Sequence, residues 1–253
     1  MSRLLLVIFF TVFFSALNSQ TTEIANLLCN NSRHPSNIDN NPPRFSWQFN
    51  TSRKGFMQSA FRLIVSDTYP SIKDGRANTW NSGKITSDQS INVAYRGRNL
   101  LAGNTYYWSV TAWDNLGKIH KSYIDSFTTA LFDKKDWSNA QWIGYEELPD
   151  SMRVVPGVHA PHAKQLGNKA IKRAIVPLFR KEFRTKKPIS KATAYVTGLG
   201  QYEFMLNGQK AGNSFLAPAW TFYDKRVQYN VLDVTSLLSV VTRVWMRFSR
   251  DIS

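Results

Sequence analysis

The groups able to do chemistry are few and unevenly placed along the 253 residues. Beyond Asp150 the acids are Glu182, Glu203, Asp224, Asp233 and Asp251. Glu203 alternates with apolar residues, as an exposed strand position does. Asp233, just before Val234-Thr235, reads as a turn or cap residue. Asp251 lies among the last few residues, so Asp224 alone stands on a loop rich in aromatic side chains. One loop carboxylate does not supply the pair that acid/base catalysis on a stable bond requires. His159-Ala160-Pro161-His162 offers metal-ligand residue types, but the proline breaks any helix that would align two rings, and no third ligand is evident. The single cysteine, Cys29, excludes a disulfide framework and a Cys-rich zinc site. It reads as a buried, unpaired thiol.

The densest constellation is Trp220, Phe222, Tyr223, Asp224 and Arg226, five residues within seven positions, with Asn207 as a candidate neighbour. A pyranose ring presents a C–H face that stacks on an aromatic ring and hydroxyls that reach polar side chains. Those residue types suit carbohydrate binding. The other reading is that Trp220 is an anchor that packs against a neighbouring domain.

The elements that carry these residues are strands. Phe61, Leu63 and Val65 alternate with Arg62, Ile64 and Ser66. Tyr106, Trp108, Val110 and Ala112 share one face, with Tyr107, Ser109, Thr111 and Trp113 on the other. Asp114-Asn115-Leu116-Gly117 supplies a turn, and Ser122 to Thr129 reads as a closing strand. Residues 24–130 are therefore expected to form a fibronectin-type or immunoglobulin-like sandwich, with Trp47, Trp80 and Trp108 as core anchors. Leu131 to Asp150 is a hinge in composition, a linker. Residues 151–176 form a long, weakly patterned stretch, and strands resume at Leu178, Phe179 and Phe183. Ala194 and Val196 lead into Gly198-Leu199-Gly200, where two glycines can take positive φ. Tyr202, Phe204 and Leu206 alternate with Glu203 and Met205. Asn207-Gly208 follows, a strong hairpin signal because both turn positions need left-handed φ. Gln209 to Ala211 begins the return, and Tyr229 to Leu232 is a further strand. The expected fold is all-β, two sandwiches in tandem, the second an incomplete jelly-roll-like sandwich over 151–238.

At the N-terminus a basic start, an apolar run from Leu4 to Phe14 and the small-residue exit Ser15-Ala16 make residues 1–20 a secretory signal peptide. The apolar run is shorter than the roughly 20 residues a spanning helix needs. A secreted or periplasmic protein follows, with no membrane attachment after signal removal and no nucleic-acid partner. The net charge of +15 nonetheless needs a place. Residues 151–253 carry +12 of it, against +6 for 25–130 and −3 for 131–150. Lys181, Lys186 and Lys187 fit a second role, because lysines on edge strands discourage sheet-to-sheet association.

Several segments together resemble one family. Pro43-Arg44-Phe45-Ser46-Trp47, Tyr106-Tyr107-Trp108 and Asp114-Asn115-Leu116-Gly117 are similar to the N-terminal fibronectin-like domain of bacterial α-L-rhamnosidases. Thr197-Gly198-Leu199-Gly200-Gln201-Tyr202-Glu203, Leu206-Asn207-Gly208 and the run from Leu216 through Trp220 to Asp224 resemble that enzyme's N-terminal β-sandwich module. Tyr229 and Asp233-Val234-Thr235 continue the match. The similarity covers about Asn26 to Leu238, with Ala219 where the family usually has glycine. The resemblance implies an enzyme that hydrolyses terminal L-rhamnose from polysaccharides or glycosides. It also implies that cleavage belongs to a helical (α/α)₆ barrel following these domains, and no stretch here corresponds to that barrel. Glycoside hydrolysis uses two carboxylates roughly 5–9.5 Å apart, and this chain is expected to be inactive alone. Some members carry a rhamnose-binding module that uses calcium, but one Asp and one Asn, Asp224 and Asn207, are sparse ligands for an ion that takes six to eight oxygens, and no cofactor or metal site is expected. The resemblance also implies L-rhamnose-containing carbohydrate as the partner, with the catalytic domain of the parent enzyme as a second partner. Residues 239–253 are expected to be an aberrant tail beyond the last strand, as a truncated N-terminal fragment would have. A stand-alone carbohydrate-binding protein or a cell-surface interaction protein is the alternative.

Overall fold

Period-two alternation becomes paired sheets in both halves of the chain. The structure is a computed structural model and describes residues 21–39, 42–144 and 177–248. The expected signal peptide, the stretch 151–176 with His159 and His162, and Asp251 lie outside the described residues. The chain divides into two compact units, Met1–Asp136 and Trp137–Ser253.

In the first unit, β1 (Thr22–Cys29), β2 (Arg44–Thr51) and β6 (Val93–Ala94) form one sheet in the order β1-β2-β6. The second sheet is built on β3 (Gln58–Ser66) and β7 (Thr105–Asp114). β4 (Trp80–Asn81) and β5 (Ile85–Thr86) pair with β3, while β8 (Ile119–Lys121) and β9 (Asp125–Thr128) pair with β7. Among the described residues of this unit the one α-helix, α1 (Tyr69–Lys73), is a five-residue turn with Pro70 in its first positions. Aromatic side chains join the two sheets. Phe45 of β2 lies 4.5 Å from Trp108 of β7, and Trp47 meets Phe61 of β3 edge-on at 5.2 Å. Phe127 of β9 stacks on Tyr106 at 5.4 Å. Leu27, Phe45, Leu63, Val65 and Trp108 are wholly buried. Each such side chain contributes about 1.5–3 kcal/mol by leaving water. Trp80 packs partly buried against this core, and Cys29 is buried and unpaired.

The expected closing strand, Ser122 to Thr129, is shorter: β9 covers Asp125–Thr128, and residues 122–124 separate it from β8. Ser122 donates its amide to Val110 O and accepts the Val110 amide on Oγ, both at 2.9 Å. A side chain thus takes over one rung of the ladder to β7 in the gap that separates β8 from β9. A second feature is polar and buried. Trp47 Nε1 donates to Gln58 Oε1 at 2.9 Å, and Gln58 Nε2 donates to Ser87 O and Gln89 O at 3.0 and 2.9 Å.

Two buried carboxylates behave oppositely. Burial alone would raise the Asp114 carboxyl above its ordinary value, but hydrogen bonding to His120, the amides of Leu116 and Lys118, and the Arg53 guanidinium outweigh it. They hold the carboxyl below its usual range. His120 Nε2 lies 3.1 Å and Arg53 Nη2 3.0 Å from Asp114 Oδ2. At Asp125 burial prevails and raises the carboxyl above its ordinary value, although the Ser126 amide, His34 and Arg33 all favour the charge.

The second unit contains β10 (Leu178–Arg184), β11 (Thr193–Thr197), β12 (Tyr202–Leu206), β13 (Gln209–Lys210), β14 (Tyr229–Asp233) and β15 (Val241–Phe248). One sheet runs β10-β15-β12-β13, the other β11-β14. Asn207 and Gly208 turn the β12–β13 hairpin with φ of 50° and 82°, both left-handed. In the Gly198-Leu199-Gly200 bend it is Gly200 that takes positive φ, at 124°. Leu206, Ala211 and Val234 are buried, with Ala194, Phe204, Leu232 and Val244 packed around them.

The expectation of a patternless tail from 239 is corrected here. Val241–Phe248 is a strand between β10 and β12, antiparallel to both. Its alternation is blurred in sequence because a threonine faces inward and a tryptophan sits among the arginines of the other face. Thr242 is fully buried, and its hydroxyl donates to Ser239 O at 2.8 Å and accepts the Ser239 amide at 3.1 Å. A satisfied hydroxyl can occupy a core position at little cost.

Three outcomes follow from these contacts. Gln58→Leu leaves the Trp47 indole N–H and two carbonyls without partners, so urea unfolding should show a loss of about 1–3 kcal/mol. Asp114, with its folded pKa depressed, contributes stability above its unfolded pKa that is lost as pH falls through the folded value. Asp114→Asn should therefore be less stable near neutrality and change less in stability between about pH 5 and about pH 2 than the parent chain does. Ending the chain at Leu238 removes the strand between β10 and β12, so one of two thermal transitions followed by circular dichroism should disappear.

Candidate functional site

The aromatic constellation lies on the loop between β13 and β14, residues 211–228. Its start is tied to the sheet by the Tyr202 amide, which donates to Ala217 O at 2.9 Å. The Tyr202 hydroxyl, 3.0 Å from Val196 O and 2.8 Å from Asn230 Oδ1, bridges the two strands beneath. Burial pushes this phenol above its ordinary pKa, so it stays a neutral donor. Pro218 is buried after a cis peptide bond. The far end is one tight turn. Phe222 O accepts the amides of Lys225 and Arg226 at 2.9 and 2.8 Å, and Thr221 Oγ1 donates to Arg226 O at 2.6 Å.

A rigid base thus displays an apolar crest. Trp220 is 71% and Phe222 81% exposed, Tyr223 is half-buried, and Asp224 and Arg226 are exposed. The structure brings Trp220, Tyr223, Asp224 and Arg226 onto one loop. Phe215 stands on the same loop, 87% exposed, with Lys210 Nζ 4.7 Å over its ring. Sequence reasoning passed over Phe215, although an aromatic residue directly after Gly212-Asn213-Ser214 has no strand in which to hide. Beneath the loop a cavity of about 20 Å³, lined by Tyr202, Lys210, Ser214 and Asn230 among others, has room for a water-sized guest. A cavity of that size does not admit a sugar ring.

Asn207 does not join this group. Its Nδ2 donates to Leu237 O and Ser239 Oγ at 2.9 and 3.1 Å, and its Oδ1 accepts the Arg243 amide at 2.9 Å. Both ends of the amide are committed to holding the hairpin against β15. The calcium that the resemblance implies is not matched by the residues present. With Asn207 engaged, Asp224 is the one carboxylate on the loop, and calcium takes six to eight oxygens. Among the described residues, no group of three or more His, Cys, Asp or Glu gathers as metal ligands. Among the described residues, the other acids of this unit have structural partners: Glu182 pairs with Arg243 at 3.1 Å, Glu203 with Lys210 at 3.8 Å, and Asp233 accepts the Thr235 amide at 2.9 Å. What the loop can do chemically is stack and hydrogen-bond.

Comparison with known proteins agrees with this division into two β units. Residues 24–133 match the family described as the Rha78A-like N-terminal immunoglobulin domain, and residues 187–243 match the alpha-L-rhamnosidase N-terminal domain. An alpha-L-rhamnosidase of Formosa agariphila is 32% identical over 216 residues, 84% of this chain and 22% of that protein. One of an Alteromonas species is 30% identical over 201 residues, 78% of this chain and 20% of its own length. The solved alpha-L-rhamnosidase of Dictyoglumus thermophilum superposes with a TM-score of 0.77 at 30% identity, over 90% of this chain and 25% of that one. That of Aspergillus terreus, at 22% identity and a TM-score of 0.66, shares the fold. The chain spans about a fifth to a quarter of the length of these relatives. The chain thus carries, in order, a region that matches the Rha78A-like N-terminal immunoglobulin domain and one that matches the alpha-L-rhamnosidase N-terminal domain.

Proposed function

We propose that this chain supplies the front β domains of an exported α-L-rhamnosidase that hydrolyses terminal L-rhamnose from polysaccharides or glycosides. The observation that carries the reading is the succession of the two domain matches, in relatives that are themselves alpha-L-rhamnosidases. Hydrolysis belongs to residues beyond these two domains, because the one loop carboxylate, Asp224, has no second acid beside it on residues 211–228. The contribution of these domains is to hold rhamnose-containing carbohydrate. Trp220 and Phe222 offer exposed ring faces, and Asp224 and Arg226 offer an acceptor and donors for hydroxyls.

Two measurements on the whole chain test this. Calorimetry should detect L-rhamnose binding at millimolar sugar, and Trp220→Ala should weaken it about tenfold, the equivalent of some 1.4 kcal/mol, with an unchanged circular dichroism spectrum. No heat, or equal binding by the variant, would remove the loop from the function. An aryl α-L-rhamnoside should be left intact by the chain alone, and turnover would mean that the catalytic pair lies within these residues.

A further inference from the structure

The inner strand β15 places basic residues that are distant in sequence on one exposed face. In the β10-β15-β12-β13 sheet, Arg180 is opposite Trp245, and Arg184 is opposite Val241. Trp245 is in turn opposite Met205, which is opposite Lys210. Residues opposite one another share a face, and neighbours two apart along a strand share it too. Arg180, Arg184, Arg243, Arg247 and Lys210 therefore project from the same side as Trp245, and all five cations are exposed. The other side carries Leu206 and Val244, which pack in the core. Two acids, Glu182 and Glu203, share the outer face, so it keeps a net charge of +3. Exposed Lys186 and Lys187 follow directly on β10.

The face is organised as well as charged. The Arg180 guanidinium lies 4.8 Å over the Trp245 ring, and Arg243 Nε lies 3.1 Å from Glu182. Both side chains are held to the sheet. Arg184 and Arg247 are exposed and stand about 7 Å or less from their neighbours along and across strands. Guanidinium groups match planar carboxylates and sulfates with paired hydrogen bonds.

We propose that this face binds an acidic polysaccharide through its carboxylate or sulfate groups, separately from the 211–228 loop. The choice of a polysaccharide rests on the reading of the chain as part of a carbohydrate-active enzyme. The face itself argues against nucleic acid. It has one indole, already covered by Arg180, whereas single-strand binders stack successive bases on several aromatic rings. A flat sheet face also does not enter the major groove as a helix or a two-stranded ribbon does.

The test is titration of the whole chain with polygalacturonate, dextran sulfate, neutral dextran and a DNA duplex. Binding is expected to one or both acidic polysaccharides and not to neutral dextran, with affinity falling steeply as salt rises. The polygalacturonate and dextran sulfate arms tell carboxylate from sulfate recognition. Arg243→Gln with Arg247→Gln should weaken binding at least tenfold. Because Arg243 also pairs with Glu182, Arg184→Gln with Lys186→Gln serves as the second variant and should weaken binding without changing the melting profile. No binding to either acidic polymer, tighter binding to DNA, or unchanged binding by the second variant at low salt overturns the proposal. Trp220→Ala should leave polyanion binding unchanged, so failure of the loop and failure of this face are read separately.

Discussion

A β-sheet can satisfy its own backbone, but it can bury its apolar face only against a second layer. Everything else in this molecule depends on how well that condition is met. In the first unit it is met fully: two sheets close over Phe45, Trp47, Trp108, Phe127 and their aliphatic neighbours, and the aromatic rings interlock between layers. In the second unit the buried hydrophobic cluster among the described residues shrinks to Leu206, Ala211 and Val234, and the apolar neighbours packed on it are only partly covered. Stability there leans on ladder hydrogen bonds, on the Asn207 side chain and on the inner position of β15.

This difference sets what each unit can offer. The first unit commits its polar chemistry to the interior: the Gln58 amide, the Asp114–His120–Arg53 cluster and Asp125 serve the packing of strands and turns. The second unit turns its distinctive residues outward. Its long loop rests on Tyr202 and Ala217 while raising Phe215, Trp220 and Phe222 into solvent. Binding residues are commonly carried this way, on a loop fixed at its base by a regular scaffold.

Much of this was legible in the chain. The faces of Phe61-Leu63-Val65 and of Tyr106-Trp108-Val110, the Asp114–Gly117 turn and the Asn207-Gly208 hairpin follow from local rules of alternation and φ, and the structure has all of them. What escaped local rules was long-range. Asn207 reads as a turn residue with a free amide, because its partners lie 30 to 36 positions further on. Arg53 reads as a surface base, since nothing nearby announces Asp114, 61 positions away. Val241–Phe248 hides its alternation behind an inward threonine whose hydroxyl finds Ser239. The site was half legible: Trp220 to Arg226 stood out by residue type, while Phe215 needed the loop to be seen.

The position of β15 also bears on the order of assembly. Every strand of the first sandwich has been made once Thr128 is out of the ribosome, so that unit can close while the rest is still being synthesised. The second unit cannot do the same. β10 and β12 are made early but have no ladder between them until β15, the last strand described, arrives. From the end of β10 at Arg184 until β15 begins at Val241 the edge of β10 stays open, and the lysines and arginines along it keep the waiting strand from pairing with a neighbouring chain.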